Sequence, residues 1–180
     1  MSVNGRLNLA CRVQLAAIPA RRVVLEPLPG FEIVRDLVVD MDPFWAKYER
    51  IQPWLHADAA PAQERRMSEP QRERIDGLVN CILCGLCYAS CPVSRSAPAF
   101  SGPAALAKLY RFWADARESR PAQSIRQQDD AAGMWGCHTI MNCTRVCPKE
   151  VRPSDGIRGL RRASLGQRLK QVFGGKAREA

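Results

Sequence analysis

Cys81, Cys84, Cys87 and Cys91 stand at intervals of three, three and four residues, and Pro92 follows directly. A C-x2-C-x2-C-x3-C-P run is an iron-sulfur signature: three thiolates close around one cluster through tight turns, and the fourth cysteine, turned away, serves a second cluster. The second cysteine group is Cys137, Cys143 and Cys147, again followed by a proline, Pro148, with Ile140 where the remaining cysteine of the pattern would stand. Crossed ligation then gives Cys81, Cys84 and Cys87 the thiolate of Cys147 as fourth ligand, enough for a 4Fe-4S cube. Cys91, Cys137 and Cys143 are left for the other centre. Three thiolates and an isoleucine suit a 3Fe-4S cluster, a cube lacking one corner.

A zinc site and a disulfide scaffold are the plain alternatives. Zinc takes four tetrahedral ligands, usually from two separated pairs, and seven thiols in two C-P-terminated groups overfill one such site. Bridging cysteines packed this closely in sequence would strain a disulfide, and no secretory segment places the chain in an oxidising compartment. The nearer competitor is a pair of four-iron cubes, one with a non-cysteine ligand.

The cysteine loops need elements to position them. Ser68 with Gln71 forms a capping box opening a helix that runs toward Cys81, and Gly102-Pro103 begins the most regular helix, with Leu106, Leu109, Tyr110 and Trp113 on one stripe. That stripe reads as core. A polar loop follows Pro92, a bent connector covers Ser119 to Gly136, and Ile157, Leu160, Leu165 and Leu169 mark a last helix beyond Pro153 that frays after Gly174-Gly175. Upstream, Asn4-Gly5 is a turn signal. Leu7, Leu9 and Cys11 alternate, and Arg22-Val23-Val24-Leu25 is strand-like, so two short strands are expected, too few to bury a face unaided. Asp42 reads as the N-cap of a helix with Pro43 at its first position and Phe44, Trp45, Tyr48 and Ile51 on one face, ended by Pro53. His56 to Arg66 reads as an exposed connector. The doubled cysteine pattern is the one internal repeat visible. The fold class expected is mainly α: a helical two-cluster ferredoxin-like domain preceded by the last strands of a sheet that something else completes.

At 180 residues and 46% hydrophobic content, the chain can build one modest core. The net charge is +9, and from Lys149 onward nine Lys or Arg face three Asp or Glu. With Phe173 the one aromatic in that tail, a basic face toward solvent or lipid headgroups fits better than a nucleic-acid surface. No run of eighteen apolar residues exists, so any membrane role is peripheral and comes through partners. Residues 1 to 25 hold four arginines and no acidic residue, which superficially resembles a targeting peptide; the turn and strand signals argue against it.

With both cysteine groups in hand, the chain resembles the iron-sulfur subunit family of succinate dehydrogenase, respiratory complex II, and its fumarate reductase relatives. The resemblance runs through Asn4-Gly5 to Cys11, Val34 to Met41, Gln52-Pro53-Trp54-Leu55, Cys81-Ile82-Leu83-Cys84, Gly102-Pro103-Ala104 and Cys137-His138-Thr139-Ile140-Met141-Asn142-Cys143-Thr144. It implies a beta-grasp domain bearing a 2Fe-2S cluster and a helical domain bearing 4Fe-4S and 3Fe-4S clusters. The corresponding division is 1–40 for the last beta-grasp strands, 41–67 for helix and linker, and 68–180 for the cluster domain and basic tail. The implied role is electron transfer from a flavin in a flavoprotein subunit, where succinate is oxidised, through three clusters to ubiquinone at membrane-anchor subunits. No catalytic residue for succinate is expected in this chain. Pro92, Ser96, His138 and Ile140 are the residues expected on the quinone side. His138 matches a quinone-side histidine, and otherwise would orient the cluster loop. The tryptophan pair that relatives carry after the first C-P is absent, the segment reading Pro92-Val93-Ser94-Arg95-Ser96-Ala97-Pro98.

Cys11 matches the last ligand of the family's 2Fe-2S cluster, whose other three thiolates are not in these residues. The expectation is a split subunit, with a separate N-terminal chain supplying them, as in some euglenozoan protists. That would place the protein on the matrix side of the mitochondrial inner membrane, the cytoplasmic side of a bacterial membrane being the alternative; otherwise Cys11 is an idle thiol. Competing functions are a fumarate reductase subunit, a heterodisulfide-reductase-like or glycerol-3-phosphate-dehydrogenase-like subunit, and a structural subunit that keeps the cysteine loops to fold and dock.

Overall fold

In the computed structural model, which describes residues 1–18, 22–57 and 60–174, the Asn4-Gly5 signal is a two-residue hairpin turn with φ of 48° and 75°. Positive φ at both turn positions matches the twist of the flanking strands. The turn joins β1 (Ser2–Val3) to β2 (Arg6–Leu7), pairing Ser2 with Leu7 and Val3 with Arg6. On its other side β1 pairs antiparallel with β3 (Leu25–Glu26). Asn4 strengthens the junction: its N–H donates to Val24 O (2.9 Å) and its Oδ1 accepts from Val24 N–H (2.8 Å). A second hairpin, β4 (Ile33–Arg35) and β5 (Val38–Val39), turns at Asp36, whose φ is 51°. Val23, Val24, Leu25, Ile33, Val34 and Val38 are all exposed, so these strands present apolar side chains that nothing in the described residues covers.

Helices make up the rest: α1 (Asp42–Arg50), α2 (Glu69–Glu73), α3 (Leu86–Ala89), α4 (Pro92–Ser96), α5 (Gly102–Trp113), α6 (Pro121–Arg126), α7 (Asn142–Arg145) and α8 (Pro153–Gly174). The core forms where α5 lies against α8. Leu106 and Leu109 of α5, Ile157 and Leu160 of α8, Ile125 of α6, and Phe100 and Met134 from the connecting segments form one buried cluster. Gly156 and Gly159 allow the close crossing. A Cβ at Gly159 would sit 2.3 Å from the Tyr110 ring, and one at Gly156 would sit 3.4 Å from the Ala107 backbone. A smaller cluster of Phe44, Tyr88 and Ala104, joined by Phe31 and Met41, packs the strand-bearing part onto the cysteine domain.

Several expectations need correction. Strand pairing stops at Leu7, and Cys11 lies in a 3-10 turn, Ala10–Arg12. Apolar alternation over so few residues does not separate a strand from an extended segment entering a turn. Asp42 is not the cap of α1; Asp40 Oδ1 accepts the Asp42 N–H at 2.8 Å, two residues earlier than read. The capping box at Ser68 exists, with Ser68 N–H donating to Gln71 Oε1 at 2.9 Å. The helix it opens ends at Glu73, and a turn and a 3-10 segment, Leu78–Asn80, complete the approach to Cys81. The loop after Pro92 is helix α4, which the proline starts in the first turn. The connector from Ser119 to Gly136 contains α6, whose Ile125 is a core residue. On α8, Ile157 and Leu160 are buried as expected, but Leu165 and Leu169 are exposed because the helix has by then run past the core. The connector from His56 is anchored at its start: His56 N–H donates to Glu118 Oε2 at 3.1 Å and Ser119 N–H to His56 O at 3.1 Å. The tail from Gly175 onward, with its fraying point, lies outside the described residues.

Candidate metal centres

The chain brings seven cysteines to two neighbouring cavities. Cys81, Cys84, Cys87 and Cys147 line the first, with Leu83, Leu86, Ala104, Ala107, Val151 and Pro153 supplying apolar walls. Cys91, Cys137 and Cys143 line the second, together with Pro92, His138, Ile140, Asn142 and Ser154. Helices α5 and α8 are the shared wall: Ala104 and Ala107 face one cavity, Pro103 and Ile157 the other. The two sites are close, since Cys87 of the first interacts electrostatically with Cys143 of the second.

The cysteine loops repeat one another beyond their cysteines. The 3-10 segment Leu78–Asn80 before Cys81 corresponds to Met134–Gly136 before Cys137, and α3 corresponds to α7 residue for residue. Leu83 and Thr139, each two residues after the first cysteine, take φ of 55° and 58°; Gly85 and Met141, each four after it, take 74° and 66°. Ile140 therefore occupies the backbone position of Cys84. This is the repeat that the cysteine spacing alone showed only in outline, because left-handed residues other than glycine leave no mark in sequence.

Burial governs the thiols. It pushes the Cys84 thiol up, and pushes Cys87 well above the ordinary range, with neighbouring Cys81 and Cys143 adding to the effect. Cys143 is pushed up to about 11, mainly by burial. Such thiols stay protonated near neutral pH until a metal takes the proton's place. Some of the sulfurs already have donors: Thr139 N–H points at Cys137 Sγ (3.4 Å), and Thr144 hydrogen-bonds Cys143. Among the described residues, no three His, Cys, Asp or Glu side chains are arranged to hold a single metal ion. Seven thiols divided four and three between two adjoining cavities suit two multi-iron clusters better than one tetrahedral zinc site.

Sequence reading missed Arg161. From α8 its Nε donates to Met134 O (2.9 Å) and Nη1 to Thr139 Oγ1 (3.5 Å), its Nη2 donates to Cys137 O, and the guanidinium lies 5.4 Å from the Trp135 ring centre. One cation thus holds both ends of the loop around Cys137. His138 is exposed and has no hydrogen-bond partner among the described residues, so the bonds that orient this loop come from Arg161 instead. Nothing in the periodicity of α8 singled it out from its basic neighbours. Asn142 adds a link between the repeats, donating from Nδ2 to Ser90 O at 3.2 Å.

Of the residues expected on the quinone side, Pro92, His138 and Ile140 share the second cavity, with Ile140 45% exposed. Ser96 is exposed at the end of α4 and is not among that cavity's lining residues. Phe100, the first aromatic after the proline, is buried in the core behind the cavity and is no substitute for a surface tryptophan. Cys11 is exposed, apart from both cavities, and its turn touches the first site through Arg12, whose guanidinium donates to Pro148 O.

Residues 77–151 match the 4Fe-4S dicluster domain, and residues 1–46 match the 2Fe-2S iron-sulfur cluster binding domain. The succinate dehydrogenase iron-sulfur subunit of Coxiella burnetii (strain RSA 493 / Nine Mile phase I) is 45% identical over 167 residues, which cover 92% of this chain and 71% of that protein. Among solved structures, the Mycobacterium smegmatis Sdh1 complex in the apo form contains a chain that superposes with a TM-score of 0.81 at 25% identity, covering 93% of this chain and 72% of that one. With that identity over nearly its whole length, and with both cluster-binding regions in the order the cysteines require, the chain belongs to the family of succinate dehydrogenase iron-sulfur subunits.

Proposed function

We propose that this chain is the electron-carrying subunit of a succinate:quinone oxidoreductase, with Cys81, Cys84, Cys87 and Cys147 holding a 4Fe-4S cluster, Cys91, Cys137 and Cys143 a 3Fe-4S cluster, and Cys11 one corner of a 2Fe-2S cluster. The observation that carries the reading is the division of seven cysteines, four and three, around two adjoining cavities, with Ile140 in the place of the eighth. When bound, such clusters supply one-electron carriage between a flavin in a flavoprotein partner and ubiquinone. The chain's contribution is to space the sites and set their surroundings. Both cavities have largely apolar walls and both have backbone donors at a sulfur, Thr139 N–H at Cys137 and Leu86 N–H at Cys84, but the second lies more open, with His138, Thr139 and Ile140 all exposed where Leu83 and Cys84 of the first are half-buried. Solvent exposure favours the reduced, more negative state and so raises the potential. This supports the second site as the last acceptor, beside Pro92, His138 and Ile140 at the quinone. Electron paramagnetic resonance of the purified complex tests the reading: an oxidised three-iron signal is expected beside signals of reduced four-iron and two-iron clusters, and fully iron-loaded protein without the three-iron signal would overturn it.

Cys11 needs three further thiolates, and the other seven cysteines of the chain are engaged at the two cavities. We assign those three ligands to residues outside this sequence, together with the strands that cover the exposed apolar side chains of β3, β4 and β5. The mass spectrum of the complex separates a distinct small polypeptide, the split subunit, from a longer form of this chain.

No helix among the described residues is long and apolar enough to cross a membrane. The proposed seat is therefore peripheral, on membrane-anchor partners, with the exposed loop 138–140 and the end of α4 facing them. That membrane would be the mitochondrial inner membrane or, as the bacterial sources of both relatives favour, a bacterial cytoplasmic membrane. Contacts of this kind should resist salt. Washing membranes at 1 M salt, roughly a 3 Å screening length, is expected to leave the chain attached, and detergent extraction of the anchors to release it. Release by salt alone would show that the basic face of α8, rather than the loop contacts, makes the attachment.

A further inference from the structure

Arg12 stands next to Cys11, Pro148 stands next to Cys147, and the Arg12 guanidinium donates from Nη1 to the Pro148 carbonyl. The bond therefore joins the flank of one cluster ligand to the flank of another. Both ends are held in place locally. Arg12 N–H donates to Leu9 O (3.0 Å), Val13 N–H to Ala10 O (3.1 Å) and Leu9 N–H to Asn8 Oδ1 (2.9 Å), which fixes the turn. At the other end Glu150 N–H donates to Cys147 O (3.3 Å). Burial cannot do the same work, because Ala10, Cys11 and Arg12 are all exposed and the turn has no buried residue. A guanidinium to a carbonyl is a charge-assisted bond with a planar, permanently charged donor, which suits a fixed separation better than a flexible ammonium does.

We propose that Arg12 is a positioning residue that sets the gap between the Cys11 turn and the Cys147 loop, and with it the separation of the two-iron and four-iron clusters. The proposal rests on the reading of Cys11 as a two-iron cluster ligand. One-electron transfer falls steeply with distance, so a tether across this gap governs the step between the first two centres without touching succinate or quinone.

The test compares the unsubstituted complex with Arg12→Ala and Arg12→Lys. In Arg12→Ala, hydrogen exchange of the Arg12 and Val13 amides should quicken by about tenfold or more, as expected for loss of a charge-assisted bond from a turn that opens locally. The two-iron resonance should persist, but its magnetic interaction with the reduced four-iron cluster should weaken. KM for succinate should stay unchanged while the flavin-to-quinone rate falls. Arg12→Lys, which keeps the charge and a donor, should recover part of each effect. The three-iron and four-iron signals report that the variants are folded. Unchanged exchange and unchanged magnetic interaction in Arg12→Ala would overturn the proposal. Absence of a two-iron signal from the unsubstituted complex, with the other two present, would overturn the reading of Cys11 and the proposal with it.

Discussion

Replacing Ile140 with cysteine is expected to turn the proposed three-iron centre into a four-iron cube. The two cysteine loops share a backbone: left-handed residues fall at Leu83 and Thr139 and again at Gly85 and Met141, and the short helices that follow have matching bounds. Residue 140 thus sits where Cys84 sits, and its side chain borders the second cavity as Cys84 borders the first. A cysteine is smaller than the isoleucine it replaces, and that isoleucine is 45% exposed, so the substitution forces no overpacking. Thiolate count then selects the larger cluster. In the Ile140→Cys complex the oxidised three-iron resonance should disappear and iron per complex should rise. A four-iron centre in such a site has the lower potential, and for a one-electron couple every 59 mV is about tenfold in equilibrium, so quinone reduction should slow on the order of tenfold or more. Ile140→Ala, which adds no ligand, should leave the three-iron signal as it was. Persistence of that signal in Ile140→Cys would sink the placement of residue 140 at the missing corner.

The same comparison shows what sequence could and could not reveal. Cysteine spacing carries the ligand grouping because a thiolate at a given interval in a tight turn has few places to go. Hairpin geometry was legible at Asn4-Gly5, where only a few residue types accept two successive positive φ angles. Helices α5 and α8 announced themselves through apolar periodicity and an initiating proline. Helices α4 and α6 did not, since five and six residues of mixed composition carry too little of a repeat to read, and their helicity comes from packing Val93 and Ile125 against the core. The turn at Cys11 resembles a strand in sequence for the opposite reason: alternation is present, but the pairing of β2 ends at Leu7. Arg161 was invisible because its importance lies in three carbonyl and hydroxyl oxygens delivered by a loop more than twenty residues away.

Crossed ligation is the assignment on which all the others depend, and Cys147→Ala decides it. Residue 147 belongs by sequence to the second cysteine group but lines the first cavity, with Cys81, Cys84 and Cys87, while Cys91 of the first group lines the second. If that arrangement fixes the clusters, removing Cys147 leaves the first site with three thiolates. The four-iron resonance should be lost, or replaced by a second three-iron signal, while the original three-iron centre on Cys91, Cys137 and Cys143 survives. Uncrossed ligation predicts the reverse: Cys81, Cys84, Cys87 and Cys91 would keep their cube intact, and the three-iron centre would collapse for want of a third ligand. Alanine is the informative substitution, since a serine oxygen can still bind iron. Flavin-to-quinone transfer should fall by at least about a hundredfold, given that even groups behind a metal ligand contribute 10–100-fold. The loss should also reach the fold, because a cluster held in the first cavity would tie residue 147, a few residues before α8, to residues 81–87, and metal binding and folding are coupled where the ligands come from distant segments. An intact four-iron signal in Cys147→Ala, with the three-iron signal gone, would require the two cysteine groups to be redrawn as separate sites.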